Sequence, residues 1–407
     1  MVKTNPMSNK SCDFLVIGAG VIGLAIAREI LLNNKNSKVI IVEKETEVGL
    51  HASGRNSGVL HAGFYYSPDS LKAKLTVDGN RLLREFCAEN DVPIKNVGKV
   101  VVTKNAQEEE SLKELYRRGI ENGVTIEIVD KQQLKELEPR AKTHEKALWS
   151  PNTGSASPQK VIKALEKDFL NLGGEIILGQ SFVKRDPNNI VLSNSIISAN
   201  HVINSAGLYA DKVAHKFDFG HKYRMLPFKG LYWYAPNQTN KFTRHIYPIP
   251  DARNPFLGVH LTVTDEGKVK IGPTAIPALW RENYRMLNNF KVQELLQVAT
   301  DLPRMAFSPH HDFGALLKQE LPKYSRSYLI KQASLLAEGI NVADFNLRGK
   351  SGIRAQLFDL DQNKLEMDFV IEGDKNSTHV LNAVSPAWTC ALSFAKYVYE
   401  FMKEKQK

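Results

Sequence analysis

The chain has 407 residues, 43% of them hydrophobic, and its 54 lysines and arginines outnumber 44 acidic residues for a net charge of +10. That length buries a large core in two or three domains, and no run of about eighteen uncharged apolar residues is present to cross a bilayer. The three cysteines lack C-x-x-C spacing, which argues against a disulfide framework or a zinc site and fits a reducing, cytoplasmic compartment, with no metal expected.

The first ten residues are expected to be disordered. Phe14 to Ile17 then reads as a buried strand, Gly18, Gly20 and Gly23 form G-x-G-x-x-G, and Leu24 to Leu32 continues as an apolar helical face. A second apolar run, Val39 to Val42, ends on Glu43 and Lys44, with Glu43 twenty positions after the last glycine. This is a complete strand-helix-strand unit for a dinucleotide. Gly18 makes the tight turn, Gly20 admits the pyrophosphate, and Gly23 lets the helix pack on the strand. The helix start offers amides to the phosphates, and the Glu43 carboxylate suits the ribose hydroxyls. The loop from His51 to Tyr66 is dense in small and polar residues, among them Ser53, Asn56 and Ser57, as a backbone approaching a large flat ligand requires.

Periodicity predicts a helix over 70–90, a strand over 99–103, a helix over 108–122, a strand over 125–129 and a helix over 131–138. None of these carries an obvious chemical group. A helix over 159–172 follows, then short strands including 181–183, 190–192, 195–197 and 201–204. Val202 to Asn204 leads into Ser205-Ala206-Gly207, a second turn of small residues, with a helix expected from Ala210-Asp211. Beyond residue 215, aromatic and β-branched residues alternate through 226–234, 256–263 and 268–271, predicting a mixed sheet in which Lys229, Tyr247, His260 and Arg281 are embedded polar groups. Helices over 290–300 and 327–338 and a last helix to Lys407 complete the reading.

Several stretches are more specific. Ser57-Gly-Val-Leu-His-Ala-Gly-Phe-Tyr-Tyr, Ser70-Leu-Lys-Ala-Lys, Ile246-Tyr-Pro-Ile-Pro-Asp, Pro255-Phe-Leu-Gly-Val-His-Leu-Thr, Gly272-Pro-Thr-Ala, Gly352-Ile-Arg-Ala-Gln and Asn382-Ala-Val-Ser-Pro-Ala together span most of the chain. With them the sequence resembles the L-2-hydroxyglutarate oxidase/dehydrogenase family of the D-amino-acid oxidase (DAO) superfamily of FAD enzymes. It departs from that family's pattern at Arg55, Val384 and Trp388, all expected near the cofactor, where a changed substrate preference would originate.

The resemblance implies an α/β fold in which a Rossmann-like FAD-binding domain of the glutathione-reductase type (1–90, 145–215 and 340–407) is interleaved with a mixed-sheet substrate domain flanked by helices (91–144 and 216–339). It places Val183 against the adenine, Ala206 and Gly207 against the dinucleotide, and Gly352 and Ser385 near the flavin. Arg354 resembles the arginine that grips the substrate carboxylate in amino-acid oxidases, a task suited to its permanent charge and planar fork. The expected reaction is oxidation of a small 2-hydroxy acid, with hydride passing from the α carbon to flavin N5 while a base takes the hydroxyl proton. His61 or His260 is the candidate base, Lys229 a second carboxylate grip, and Tyr247 an orienting group.

Amine oxidation of glycine- or sarcosine-like substrates is the rival on the same fold, and a non-catalytic or tRNA-modifying flavoprotein is a more distant one. The dispersed lysines carry no nucleic-acid signature, so the charge reads as a solvated surface, with peripheral contact at an acidic inner-membrane surface left open. Oxygen, a quinone or an electron-transfer protein all remain as acceptor. Cys390 leaves covalent attachment of the cofactor undecided.

Overall fold

The computed structural model describes residues 8–187, 189–236, 242–251, 254, 256–306 and 313–407; residues 1–7, expected to be disordered, and Pro255, the first residue of one family motif, lie outside the described residues. Among the described residues the first sheet runs Phe182–Asp186, Asn189–Leu192, Ser195–Asn204, Ser8–Ile17, Val39–Val42, Glu175–Ile177, with Ser377–Asn382 also paired to Ser195–Asn204 and Val370–Gly373 on its far edge. The central pairings are parallel, and at the sheet's centre Leu15–Ile17, Val39–Val42 and Val202–Asn204 are buried on both faces. Alternation sorts the side chains: Val16 and Ile41 join the cluster beneath the helices Val21–Asn33, Pro158–Asn171 and Ala391–Gln406, whereas Leu15, Ile17, Ile40 and Val42 face Val213 and Phe217 on the other side.

Two expectations need correction here. The strand starts at Ser8, so Ser8 to Lys10 are paired, with Ser8, Asn9 and Lys10 in register with Ser195, Ile196 and Ile197. The two short strands predicted over 195–197 and 201–204 are one strand, Ser195–Asn204. The reason is shared. A ten-residue strand exposes a full ladder of amides and carbonyls, and the chain preceding Phe14 satisfies them, aided by an ion pair from Lys10 to Glu175.

A second sheet runs Leu347–Arg348, Trp233–Ala235, Val269–Gly272, His260–Val263, His245–Pro248, Lys99–Val102, Lys146–Ser150, Glu127–Asp130. A third runs Ile276–Pro277, Tyr223–Gly230, Gly352–Asp359, Lys364–Leu365. The sheets cross the expected domain borders. Lys146–Ser150 pairs with Lys99–Val102 and Glu127–Asp130, and Gly352–Asp359 pairs along its whole length with Tyr223–Gly230, although both were assigned by position to the cofactor unit. Backbone pairing overrides chain position at those seams.

The helices fall close to their predicted ranges because their caps are local. Ser70 accepts from the Ala73 amide at 3.1 Å to start Leu71–Glu89, and a capping box of Asp130 and Gln133 starts Lys131–Leu137. Farther on, the helices predicted over 290–300 and 327–338 are Val292–Ala306 and Arg326–Ala333.

Arg281 ties its loop to the helix Ala210–His215. It is almost fully buried, and its guanidinium meets both carboxylate oxygens of Asp211, at 2.5 and 2.7 Å, on the helix Ala210–His215 that follows the second small-residue turn. The Leu208 carbonyl accepts from it as well. Burial opposes both charges, yet the pairing holds the Asp211 carboxyl below the usual carboxylate range. Asp211→Asn, which leaves the buried guanidinium uncompensated, is expected to lower unfolding free energy by about 3–5 kcal/mol, read as a shifted denaturant midpoint at unchanged slope.

Candidate functional site

A cavity of about 990 Å³ runs from the glycine turn at the carboxyl ends of the first sheet to the underside of the second and third sheets. Gly18, at φ +105°, sits where a Cβ would lie 2.7 Å from the Ser205 carbonyl oxygen, and a Cβ on Gly23 would lie 2.0 Å from the Gly18 oxygen. Only glycine permits this crossing. The second turn is tied to the first by Ser205, whose hydroxyl donates to the Ile17 and Gly18 carbonyls at 3.0 and 3.1 Å. Gly20, Val21 and Ile22 face the cavity at the start of a helix with no acidic residue in its own first turn, which leaves its positive end able to take an anion.

Most predicted cofactor residues gather on this cavity: Gly18, Gly20, Glu43, Lys44, Ser53, Asn56, Ser57, Val183, Ala206, Gly207, Gly352 and Ser385 line it. Gly23 sits behind the turn as a packing residue. Several also brace the backbone. Glu43 accepts from the Ala19 and Glu45 amides at 2.8 and 3.0 Å, using one lone pair of each oxygen and leaving others for a ligand. Ser53 accepts from the Val21 amide at 3.0 Å, and Asn56 caps its own loop through the Gly58 amide and the Ser53 carbonyl. Lys44 is held by Glu282 at 2.5 Å and Glu45 at 2.6 Å. Glu45, His51 and Glu282 bring three donor atoms within 4.8 Å of one another, but the Lys44 ammonium already supplies the cation between the carboxylates.

The far end of the cavity is built differently. Arg354, on Gly352–Asp359, is half-buried with its guanidinium 4.6 Å from the Phe256 ring centroid, and its Nη1 is buried with no hydrogen-bond partner. Burial lowers its proton affinity from the ordinary arginine value, but a guanidinium stays charged, so the cavity wall there carries a cation that is not fully hydrogen-bonded. His260 stacks on Tyr247 with ring centroids 3.7 Å apart and planes 19° apart, and both line the cavity. Its Nδ1 lies 2.8 Å from the Gly258 carbonyl oxygen, an acceptor, so Nδ1 carries the proton and Nε2 presents a lone pair. Burial pulls its pKa down to about 3. His61 also lines the cavity; its Nδ1 is buried without a partner, and burial holds its pKa well below the ordinary value.

Lys229 is not brought to the site. Alternation along Tyr223–Gly230 turns Phe228 and Gly230 toward the cavity and Lys229 away, where its Nζ donates to Asn283 Oδ1 at 2.6 Å. The second cationic grip therefore does not come from this residue. Cys390 does not line the cavity either; its thiol meets Thr76 Oγ1 at 3.4 Å, and burial raises its pKa to about 12.

Arg55, Val384 and Trp388, the three departures from the family pattern, all line the cavity. Arg55 donates to the Leu50 carbonyl at 2.7 Å with its guanidinium 4.4 Å from the Tyr284 ring, and the buried Trp388 Nε1 has no partner. Sequence reasoning missed Tyr232 and Leu257, which complete the lining, and Lys99, which stands behind it. The aromatic and aliphatic ones read as core by any periodicity argument. Lys99 carried a signal that could have been used: a lysine opening an otherwise apolar strand.

The residues present fit an extended dinucleotide cofactor: glycine crossings where a Cβ would clash, a helix start with no acid in its own first turn, and unpaired buried donors at Arg354 and Trp388. Comparison with known proteins agrees. The pattern of the family described as DAO, FAD dependent oxidoreductase, matches residues 13–401. The chain is 34% identical to L-2-hydroxyglutarate dehydrogenase, mitochondrial, of Nematostella vectensis, over 97% of this chain and 91% of that protein. It is 35% identical to L-2-hydroxyglutarate dehydrogenase of Indibacter alkaliphilus, over 95% and 98%. Among solved structures, dithionite-reduced L-alpha-glycerophosphate oxidase from Mycoplasma pneumoniae with FAD bound superposes with a TM-score of 0.78 at 21% identity, covering 97% of this chain and 95% of that one. With the glycine crossing, the converging loops and these full-length similarities together, the chain belongs to the DAO family of FAD dependent oxidoreductases, and its cofactor is FAD.

Proposed function

We propose that the protein oxidises L-2-hydroxyglutarate to 2-oxoglutarate, a reaction on a CH–OH group. The observation that carries this reading is the presence, on one cavity, of a guanidinium that is not fully hydrogen-bonded and a neutral histidine whose tautomer is fixed. FAD, when bound, supplies the two-electron acceptor for the α-carbon hydride. The cofactor is held by the turn at Gly18–Gly23, the loop 51–57, Ala206, Gly207 and the stretch 383–388, all of which border the cavity or shape it. In this reading the FAD unit comprises 1–90, 145–215 and 340–407, apart from Lys146–Ser150 and Gly352–Asp359, which pair into the sheets of the substrate unit.

Arg354 takes one substrate carboxylate through its planar fork. His260 removes the hydroxyl proton at Nε2; its low proton affinity keeps that lone pair free throughout the physiological range. His61 lines the same space but lacks a carbonyl acceptor that would fix its tautomer, and it serves as a packing neighbour of the base. Tyr247 orients the base by stacking and closes the cavity to water.

One surface feature supports a reading of the acceptor and location. Met286, Leu287 and Leu296 are exposed at 86%, 73% and 60%, with Phe290 and Val292 beside them and Arg285 and Lys291 among them, and Phe290 and Lys291 reach the cavity rim. Apolar side chains ringed by cations suit an anionic bilayer surface, so we place the protein in the cytoplasm with this rim on the inner membrane, where a quinone is within reach. No helix among the described residues is long and apolar enough to cross a membrane.

Anaerobic mixing of the holoenzyme with a panel of 2-hydroxy and 2-amino acids, followed by flavin absorbance, tests the substrate; bleaching by amino acids alone would favour the amine-oxidising rival. His260→Ala is expected to slow bleaching about 10²- to 10⁴-fold at unchanged flavin content, with His61→Ala much milder. Full turnover in both variants would remove the base from the mechanism. Arg354→Lys should cost about 10- to 100-fold in kcat/KM, since an ammonium cannot reproduce the two parallel hydrogen bonds. Sedimentation with anionic phospholipid vesicles should pull the protein down, about tenfold less for Met286→Asp/Leu287→Asp, and equal recovery would refute the membrane contact.

A further inference from the structure

Lys99 opens the strand Lys99–Val102 in the second sheet, opposite His245 on one side and Ser150 on the other. It is fully buried, and its Nζ has no hydrogen-bond partner. Instead three rings surround it, with centroids 5.2 Å away for Phe64, 4.9 Å for Tyr65 and 4.4 Å for Tyr247. Two of those rings follow His61 on the same loop, and the third stacks on His260. A lysine amine placed between the sheet and the loop that carry both histidines, with no acceptor, is costly in its charged form and only partly offset by the ring faces. Other buried polar atoms near it, His61 Nδ1 and Tyr65 OH, are likewise unpartnered. Natural cores seldom leave such groups without a role.

We propose that Lys99 is a positioning residue for proton abstraction: its amine, caged by Phe64, Tyr65 and Tyr247, sets by its charge how readily His260 accepts the substrate's hydroxyl proton. This rests on the function proposed above. The charged groups that act on His260 are Lys99, Lys270 and Arg354, and the neutral titratable groups around Lys99 include His61, His245, Tyr65 and Tyr247. Lys270, whose pKa burial also lowers, to about 8, donates to the Ser57 carbonyl at 2.8 Å, and Arg354 stays charged, so Lys99 is the member of this group that titrates with no hydrogen bond.

Burial brings the Lys99 pKa from its ordinary 10.5 to about 7. Below that pH its ammonium opposes an imidazolium forming on His260. Above it the neutral amine lifts that opposition, so proton abstraction speeds up as pH rises through neutrality.

The test compares wild-type, Lys99→Met and Lys99→Arg holoenzymes, with flavin absorbance reporting cofactor content and the anaerobic bleaching rate by L-2-hydroxyglutarate followed across pH. Wild type should show a rising step near neutrality of roughly threefold or more. Lys99→Met should lose the step and keep the faster rate at acid pH, while Lys99→Arg should lose it and stay at the slower rate. A step that persists with the same midpoint in either variant overturns the proposal, and if the Met variant fails to hold flavin the Arg variant decides.

A second readout needs no turnover. Lys99 binds its proton more weakly folded than unfolded, so the unfolding free energy of wild type relative to Lys99→Met should climb as pH rises from about 7 to 10.5 and level off beyond. A difference flat in pH overturns the buried titration. Should wild type not be bleached by any hydroxy acid while this slope is present, the proposed function fails and the caged amine stands.

Discussion

The whole architecture depends on one close crossing of backbone. Gly18 and Ser205 approach so nearly that no side chain fits between them, and the register Ile17 opposite Asn204 brings the two strand ends to that point together. Ser205 bonds both carbonyls of the first turn, and Glu43, at the end of the next strand, bonds the Ala19 amide. Three strand termini are thereby fixed around one opening at the carboxyl edge of a parallel sheet, which is where open α/β sheets bind ligands. The loop 51–57 and the strand Gly352–Asp359 are seated against this frame by a second contact of the same kind, a Cβ at Gly352 falling 2.7 Å from the Arg55 carbonyl oxygen.

At the opposite end of the cavity, desolvation organises the chemistry. The roof is made of aromatic and aliphatic side chains, and the few polar groups admitted to it are left partly unsatisfied: the guanidinium of Arg354, the amine of Lys99, one ring nitrogen of His61. Removing these groups from water keeps the histidines neutral and makes each remaining charge act strongly on its neighbours. By contrast the cofactor end is rich in compensated charge, with Lys44 between Glu45 and Glu282. One cavity thus offers a polar, hydrogen-bonded end and an apolar end with unpaired polar atoms. The three residues that depart from the family pattern sit along its wall, where Arg55 lies over Tyr284 and Trp388 adds bulk and an unpaired donor.

The sequence by itself determined the cofactor half. Its signals are local: G-x-G-x-x-G between two apolar runs, an acid at the end of the second, small residues at 205–207, and caps such as Ser70, all of which act through neighbours a few positions away. The strand ladder at Ser8 to Lys10 was invisible because its partner, Ser195–Asn204, is nearly two hundred residues distant. At the reactive end, tertiary structure made the decisions. Lys229 and Arg354 looked alike as cations near family motifs, yet pleating turned one toward Asn283 and the other into the cavity. His61 and His260 were equivalent until the Gly258 carbonyl fixed a tautomer on one of them. Lys99 acquired significance only when Phe64, Tyr65 and Tyr247 closed around it. Turn geometry and helix caps are written in contiguous residues, whereas facing direction, tautomer and desolvation depend on atoms that only folding brings together.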